Sequence, residues 1–377
     1  MDLITGFGGY FVPFILVLSV LVFVHEFGHF WVARRCGVKV EVFSIGFGPE
    51  LFGRYDRTGT RWKVSAIPLG GYVKMFGDAD VASARPADVS GLNAVDLSGS
   101  FHTKRLWQRA AIVAAGPIAN FLFAILVFAG LFIAYGQPYT PPDIGGVEEN
   151  SPAAVAGLRP GDVIRSIDGR RVSRFEEIQQ QVRMNADRTL TLEVERDGRM
   201  QEIQVTPQLR VEPDRFGNVH KFGRLGIART GVEYKTHNPL SALRAAMAET
   251  WNVTTTTLGY LRDIILGLRG TEELGGPLRI AQVSGQAAQV GVVAVITLAA
   301  LLSINLGLIN LFPVPLLDGG HLLFYAIEAV RGRPLGERAQ EYGLRLGFAL
   351  VLTLMAFATW NDLVQLSVVQ FIRDLVF

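Results

Sequence analysis

Four stretches of this 377-residue chain are long and apolar enough to cross a bilayer, and no other feature narrows the fold as much. A hydrocarbon core needs about 20 apolar residues in a helix. Tyr10 to Ala33, Ala110 to Tyr135, Val290 to Leu317 and Leu344 to Leu366 meet that length. Lipid offers no partner to a free N–H or C=O, so such stretches become helices. With 49% hydrophobic against 19% charged residues, the chain reads as a polytopic α-helical membrane protein with four transmembrane helices and some soluble mass.

A formal charge of only +2, without basic runs interleaved with aromatics, excludes a nucleic-acid partner. Cys36 is the sole cysteine, so no intrachain disulfide or cysteine-rich metal site can form. The N-terminal "MDLITGFGGYFVPF" lacks a basic region and a small-residue cleavage site, which predicts a retained first span.

Basic residues near the ends of short loops set orientation. Arg34, Arg35 and Lys39 follow the first span, Lys104, Arg105 and Arg109 precede the second, and Arg331, Arg333, Arg338 and Arg345 lie between the last two. These loops are expected in the cytoplasm, and both termini and the segment 136–289 on the other side. The expected organisation is 1–135, two spans with a membrane-associated β-hairpin between them; 136–210, one extracytoplasmic α+β domain; 211–289, a linker with an amphipathic surface helix; and 290–377, the last two spans. Within the α+β domain, "LTLEVE", Asp197-Gly198 and "QEIQV" predict a hairpin. The stretch "SPAAVAGLRPGDVI…IDG" resembles a PDZ domain, which implies a peptide or a substrate terminus as its partner.

The first span ends in His25-Glu26-Phe27-Gly28-His29. Helix positions four apart share a face, so two imidazoles can reach one metal ion. Glu26 lies about 100° round the helix and can face a water as general base; this is the physical content of H-E-x-x-H. Ionisable groups inside spans are rare and usually functional. Two histidines leave a catalytic zinc one protein ligand short. His220 and His237 fall on the outer side and His102 in a polar cytoplasmic loop. The third span ends in "INLFPVPLLDGGHLLF", where Pro313 and Pro315 break the helix. Broken backbone at membrane depth must be buried or line a wet cavity. Asp318 in that break is the expected third ligand, with His321 as a rival. The first and third spans both run inward, which brings His29, about 7.5 Å deep by helical rise, and Asp318 to one depth.

Together with "FSIGFGP", "IPLGGYVKM", "AAGPIANF" and "NLFPVPLLDGGH", these residues resemble the site-two protease family of intramembrane zinc metalloproteases, most closely its bacterial RseP-type members. The resemblance implies Zn2+ on His25, His29 and Asp318, with Glu26 as catalytic base. It implies that Asn310 and Pro313 hold the substrate backbone and that Gly46, Phe47 and Gly48 belong to a membrane-dipping hairpin that pairs with unwound substrate. Helix packing is the expected role of Asn120. The implied substrates are single-span membrane proteins, such as a trimmed anti-sigma factor in a stress response or a remnant signal peptide. The implied site of action is the bacterial inner membrane. A metal or proton transporter is the alternative, since it too would place His and Asp at membrane depth. It would not require a PDZ-like domain or edge strands.

Overall fold

The protein is described here by a computed structural model covering residues 3–78, 98–213, 219–229, 231, 233–267 and 275–365. Its helices are α1 (Leu3–Arg35), α2 (Leu106–Ala134), α3 (Pro152–Val155), α4 (Phe175–Met184), α5 (Pro239–Ile265), α6 (Pro277–Val290), α7 (Val292–Asn310), α8 (Asp318–Arg331) and α9 (Glu337–Gln365). Four carry windows long and apolar enough to span a membrane: Gly9–Arg35, Leu106–Ala134, Val292–Asn310 and Arg338–Val364. The third is shorter than the expected stretch to Leu317. Pro313 and Pro315 cannot continue a helical hydrogen-bond ladder, so α7 stops at Asn310 and a turn leads into α8. Leu366, the expected end of the fourth span, lies outside the described residues.

The chain divides into two compact units, Met1–Gly130 with Pro239–Phe377, and Leu131–Asn238. In the first unit, β1 (Val40–Tyr55) and β2 (Arg61–Met75) do more than form a simple hairpin. The segment Val42 to Ile45 pairs on one side with Arg61 to Val64 and on the other with Gly71 to Lys74, and Arg61 to Val64 also pairs with Phe52 to Tyr55. Each long strand therefore folds back at a bulge, giving a four-segment sheet whose outer edges are Gly71 to Lys74 and Phe52 to Tyr55. Phe43, Phe30 and Trp62 clamp this sheet to α1, with ring centroids 4.3 to 5.7 Å apart.

Two helices, α5 and α6, occupy most of the described residues between 239 and 290. On α5, Ala242, Ala246 and Thr250 are buried, and Thr257 Oγ1 donates to Asn305 Oδ1 on α7 at 3.4 Å. Helix α6 packs against α1 so closely that a Cβ on Gly285 would overlap the Tyr10 ring. Its first turn is capped from α9: the buried Asp362 carboxylate accepts the N–H groups of Gly276 at 2.8 Å and Arg279 at 3.0 Å. The donors left free at a helix start explain why a distant carboxylate belongs there.

The second unit is an α+β domain. A four-stranded antiparallel sheet in the order β6-β5-β7-β8 joins Arg170–Arg171, Val163–Ile167, Leu190–Arg196 and Arg199–Val205. Asp197 and Gly198 both adopt positive φ, 50° and 75°, as the expected two-residue hairpin requires. Ile164, Leu192 and Val194 of the sheet pack with Phe175, Ile178 and Val182 of α4 in one core. Strands beyond residue 210 belong to this unit too. β11 (Ile227–Arg229) pairs with β4 (Ile144–Val147), and β12 (Glu233–Lys235) with β3 (Gln137–Tyr139). β9 (Gln208–Pro213) pairs with β10 (Val219–Arg224). The compact unit spans Leu131–Asn238.

Candidate active site

Three candidate ligand atoms converge near the C-terminal end of α1. His25, His29 and Asp318 each offer one within 4.8 Å of the others. Nε2 of His25 lies 3.1 Å and Nε2 of His29 lies 3.5 Å from Asp318 Oδ2, and the two Nε2 atoms are 3.3 Å apart. Both histidines are buried, and the Asp318 side chain is 18% exposed. Asp318 Oδ2 is buried, yet it makes no hydrogen bond of good geometry among the described residues. Three lone-pair centres brought this close repel one another unless a proton or a metal ion lies between them, and the geometry fits a metal ion. Two imidazoles and a carboxylate are a catalytic zinc donor set with a position left for water.

The far ring nitrogens explain why Nε2 faces inward. His29 Nδ1 donates to the Ile112 carbonyl on α2 at 2.9 Å. His25 Nδ1 lies 3.0 Å from the Asn120 side-chain amide, whose buried Oδ1 has no hydrogen-bond partner among the described residues. With that amide turned so that Oδ1 accepts the Nδ1 proton, the isolated oxygen is satisfied and Nε2 keeps its lone pair for metal. Asn120 thus contacts the His25 ring directly, beyond the packing role expected for it. Ser303 Oγ donates to the Asn120 carbonyl at 2.9 Å, which ties α7 to the same point.

Such contacts need α1 and α2 close together. A Cβ on Gly28 would collide with the Ala115 carbonyl, and one on Gly116 would enter the space of His29 Nε2 and His25 Cε1. Glycines at a helix crossing permit this approach. Gly28, inside the motif, is therefore the contact that lets α2 reach the histidines.

Beside the ligands is a cavity of about 220 Å³ lined by Glu26, Asn310, His321, Tyr325 and the sheet edge at Gly71, Tyr72 and Val73. Glu26 is outside the ligand cluster but opens on the same space, as a general base must. His321 lines the cavity yet is not among the three clustered ligands. Leu316, two residues before Asp318, has φ 109°, a conformation costly for a branched side chain and typical of functional turns.

The structure therefore gathers His25, Glu26, His29, Asp318 and Asn310 around one space. It does not bring Pro313 or the Gly46-Phe47-Gly48 stretch to the cavity wall. Gly46 and Gly48 have φ 92° and 83° and turn the strand, while Phe47 stacks on Tyr72 with centroids 6.0 Å apart. The backbone that borders the cavity is the Gly71 to Val73 edge, on whose open side no described strand pairs.

The second unit holds a separate groove of about 700 Å³ between β11 and α4, lined by Leu225, Gly226, Ile227, Ile178, Val182 and Arg183 among others.

A membrane-embedded metallopeptidase is the class of protein that this fold and site define. The sequence profile of peptidase family M50 matches residues 13–354. A protein of Agrobacterium fabrum named provisionally as a zinc metalloprotease is 51% identical over 370 residues, covering 96% of this chain and 98% of that one. Metalloprotease MmpA of Caulobacter vibrioides is 39% identical over 396 residues, covering 98% and 99%. Among solved structures, the PDZ domain of an SdrC-like protein from Listeria innocua is 21% identical, covers 25% of this chain and 98% of that one, and gives a TM-score of 0.20. The chain belongs to peptidase family M50, the site-two protease family. It is a zinc-dependent protease.

Proposed function

We propose that this protein is an intramembrane endopeptidase that cuts single-span membrane proteins, as in regulated intramembrane proteolysis. Its expected place is the bacterial inner membrane, with both termini and the PDZ-like unit outside the cytoplasm. The observation that carries this reading is the convergence of His25, His29 and Asp318 next to Glu26, on a cavity bordered by an open sheet edge.

His25, His29 and Asp318 would hold the zinc, which would supply a more acidic bound water and Lewis-acid polarisation of a carbonyl. Glu26 takes the proton of the attacking water and returns it to the leaving amine. A substrate helix hides its carbonyls in internal bonds, and freeing them in lipid costs several kcal/mol each, on the order of the penalty for any unpaired buried amide. The Gly71 to Val73 edge can add the unwound segment as a further strand, with Asn310 offering its amide to the same backbone. The exposed apolar side chains Leu51, Phe52 and Ile67 suit the sheet to contact with lipid. The groove between β11 and α4 has the strand-and-helix walls with which PDZ domains take a peptide end, so a substrate terminus trimmed by an earlier protease is its fitting occupant.

The test is reconstitution of the purified chain in liposomes with candidate single-span substrates. Cleavage should stop on zinc chelation and return with added zinc. Chelator-resistant cleavage, or zinc flux without cleavage of any substrate, would sink the reading in favour of another mechanism or a transporter.

A further inference from the structure

Asp318 begins a helix that a turn over 311–317 separates from α7. Gly319 and Gly320 seat the first turn of α8 against the backbone of Leu311, Phe312 and Val314, and the later turns of α8 take a second anchor from another helix. Arg109 on α2 provides one. Its Nη2 donates to Glu328 Oε1 at 2.5 Å, and its guanidinium lies over the Tyr325 ring, 5.0 Å from the centroid. The Arg109 and Glu328 side chains are only 16% and 17% exposed.

Both partners lie on α8. Positions 318, 325 and 328 share one helical face, and Tyr325 itself lines the cavity beside the ligands. Arg109 precedes Ile112, whose carbonyl orients His29, by one helical turn. A single guanidinium thus grips α8 at two successive turns, from the stretch of α2 that fixes the His29 ring. A flat cation stacked on one ring and hydrogen-bonded to one carboxylate resists both sliding and rotation, which an apolar contact would not.

We propose that Arg109 is a positioning residue for the metal site, setting the separation of His29 and Asp318 by clamping α8 onto α2 through Tyr325 and Glu328. The inference rests on the ligand assignment above. It makes the clamp part of the zinc affinity.

The experiment measures zinc affinity of the purified full chain in detergent by competition with a chromophoric chelator, at temperatures where each apo variant is folded. Arg109→Met and Glu328→Gln should each weaken zinc binding by about 10-fold, the scale typical of groups that orient ligands. The double variant should be no weaker than the worse single, because the pair acts as a unit. Arg109→Lys keeps the charge but loses the flat stacking, and should fall between wild type and Arg109→Met; it carries the test should Arg109→Met not fold. Wild-type zinc affinity in folded Arg109→Met, or single losses that multiply in the double variant, overturns the clamp. Absence of stoichiometric zinc in the wild-type chain would instead overturn the ligand assignment itself.

Discussion

His29 donates its Nδ1 proton to the Ile112 carbonyl at 2.9 Å, and this bond between two membrane helices points Nε2 toward Asp318, 3.5 Å away. The donor is spent on a backbone acceptor, so the inward nitrogen is free to ligate. His25 repeats the arrangement with Asn120 at 3.0 Å.

Asp318 and His321 can be told apart by zinc content. Asp318 lies in the ligand cluster and His321 only on the cavity wall. Asp318→Asn should lose zinc by 100-fold or more in affinity, on the order of a lost ligand together with the histidine orientation it supports. His321→Asn should retain one zinc per chain. Metal analysis of the two purified variants decides, and full occupancy in Asp318→Asn would reverse the assignment.

Asn120→Ala removes the acceptor that holds the His25 tautomer. Zinc affinity should fall by about 10- to 100-fold. Asn120→Asp keeps an acceptor at the same place and should stay within a few-fold of wild type. Chelator competition reads both.

Gly116→Ala would place a methyl group in the space of His29 Nε2. Overpacking of this kind costs about 1–3 kcal/mol, and here the displaced group is a ligand. Zinc binding should suffer more than the unfolding temperature of the apo chain, which calorimetry and metal titration can compare.

The Asp162 carboxylate has an acid-side signature. Burial alone would raise its pKa, but two hydrogen bonds from Arg196 at 2.7 Å and one from the Arg159 N–H at 2.8 Å outweigh it and hold the group below the usual aspartate range. A folded value below the unfolded one contributes stability above about pH 4, lost as pH falls through the folded value. The excised second unit should therefore lose stability below pH 4, and Arg196→Met should remove about 2 kcal/mol at pH 7 and flatten that acid dependence. Denaturant titration at pH 7 and pH 3 measures it.

The cluster of His25, His29 and Asp318 was legible in the sequence because its constraints are local. A four-residue spacing places His25 and His29 on one face, and two prolines break the third span where Asp318 falls. The contacts between helices were not. Nothing around Asn120 or Gly116 states which helix each will meet, and Gly28 inside the motif looks like a spacer until the Ala115 carbonyl lies against it. The sheet was half legible. Alternation in "KVEVFSIGFG" announced a strand, but the edge bordering the cavity is Gly71 to Val73, because the glycine bulges fold each strand back on itself. The pairings and caps of the described residues between 211 and 289 were hidden for a related reason. β11 and β12 are three residues each and acquire meaning only from β4 and β3, while the cap of α6 comes from Asp362 on another helix.

The most direct measurement is mass-spectrometric mapping of the products when the reconstituted chain meets a single-span substrate. The account predicts cuts within the substrate's apolar segment by the wild-type chain, and none by Glu26→Gln, which should still carry one zinc. Cleavage by zinc-loaded Glu26→Gln at the wild-type rate, or cuts confined to the substrate's soluble flanks, would contradict it.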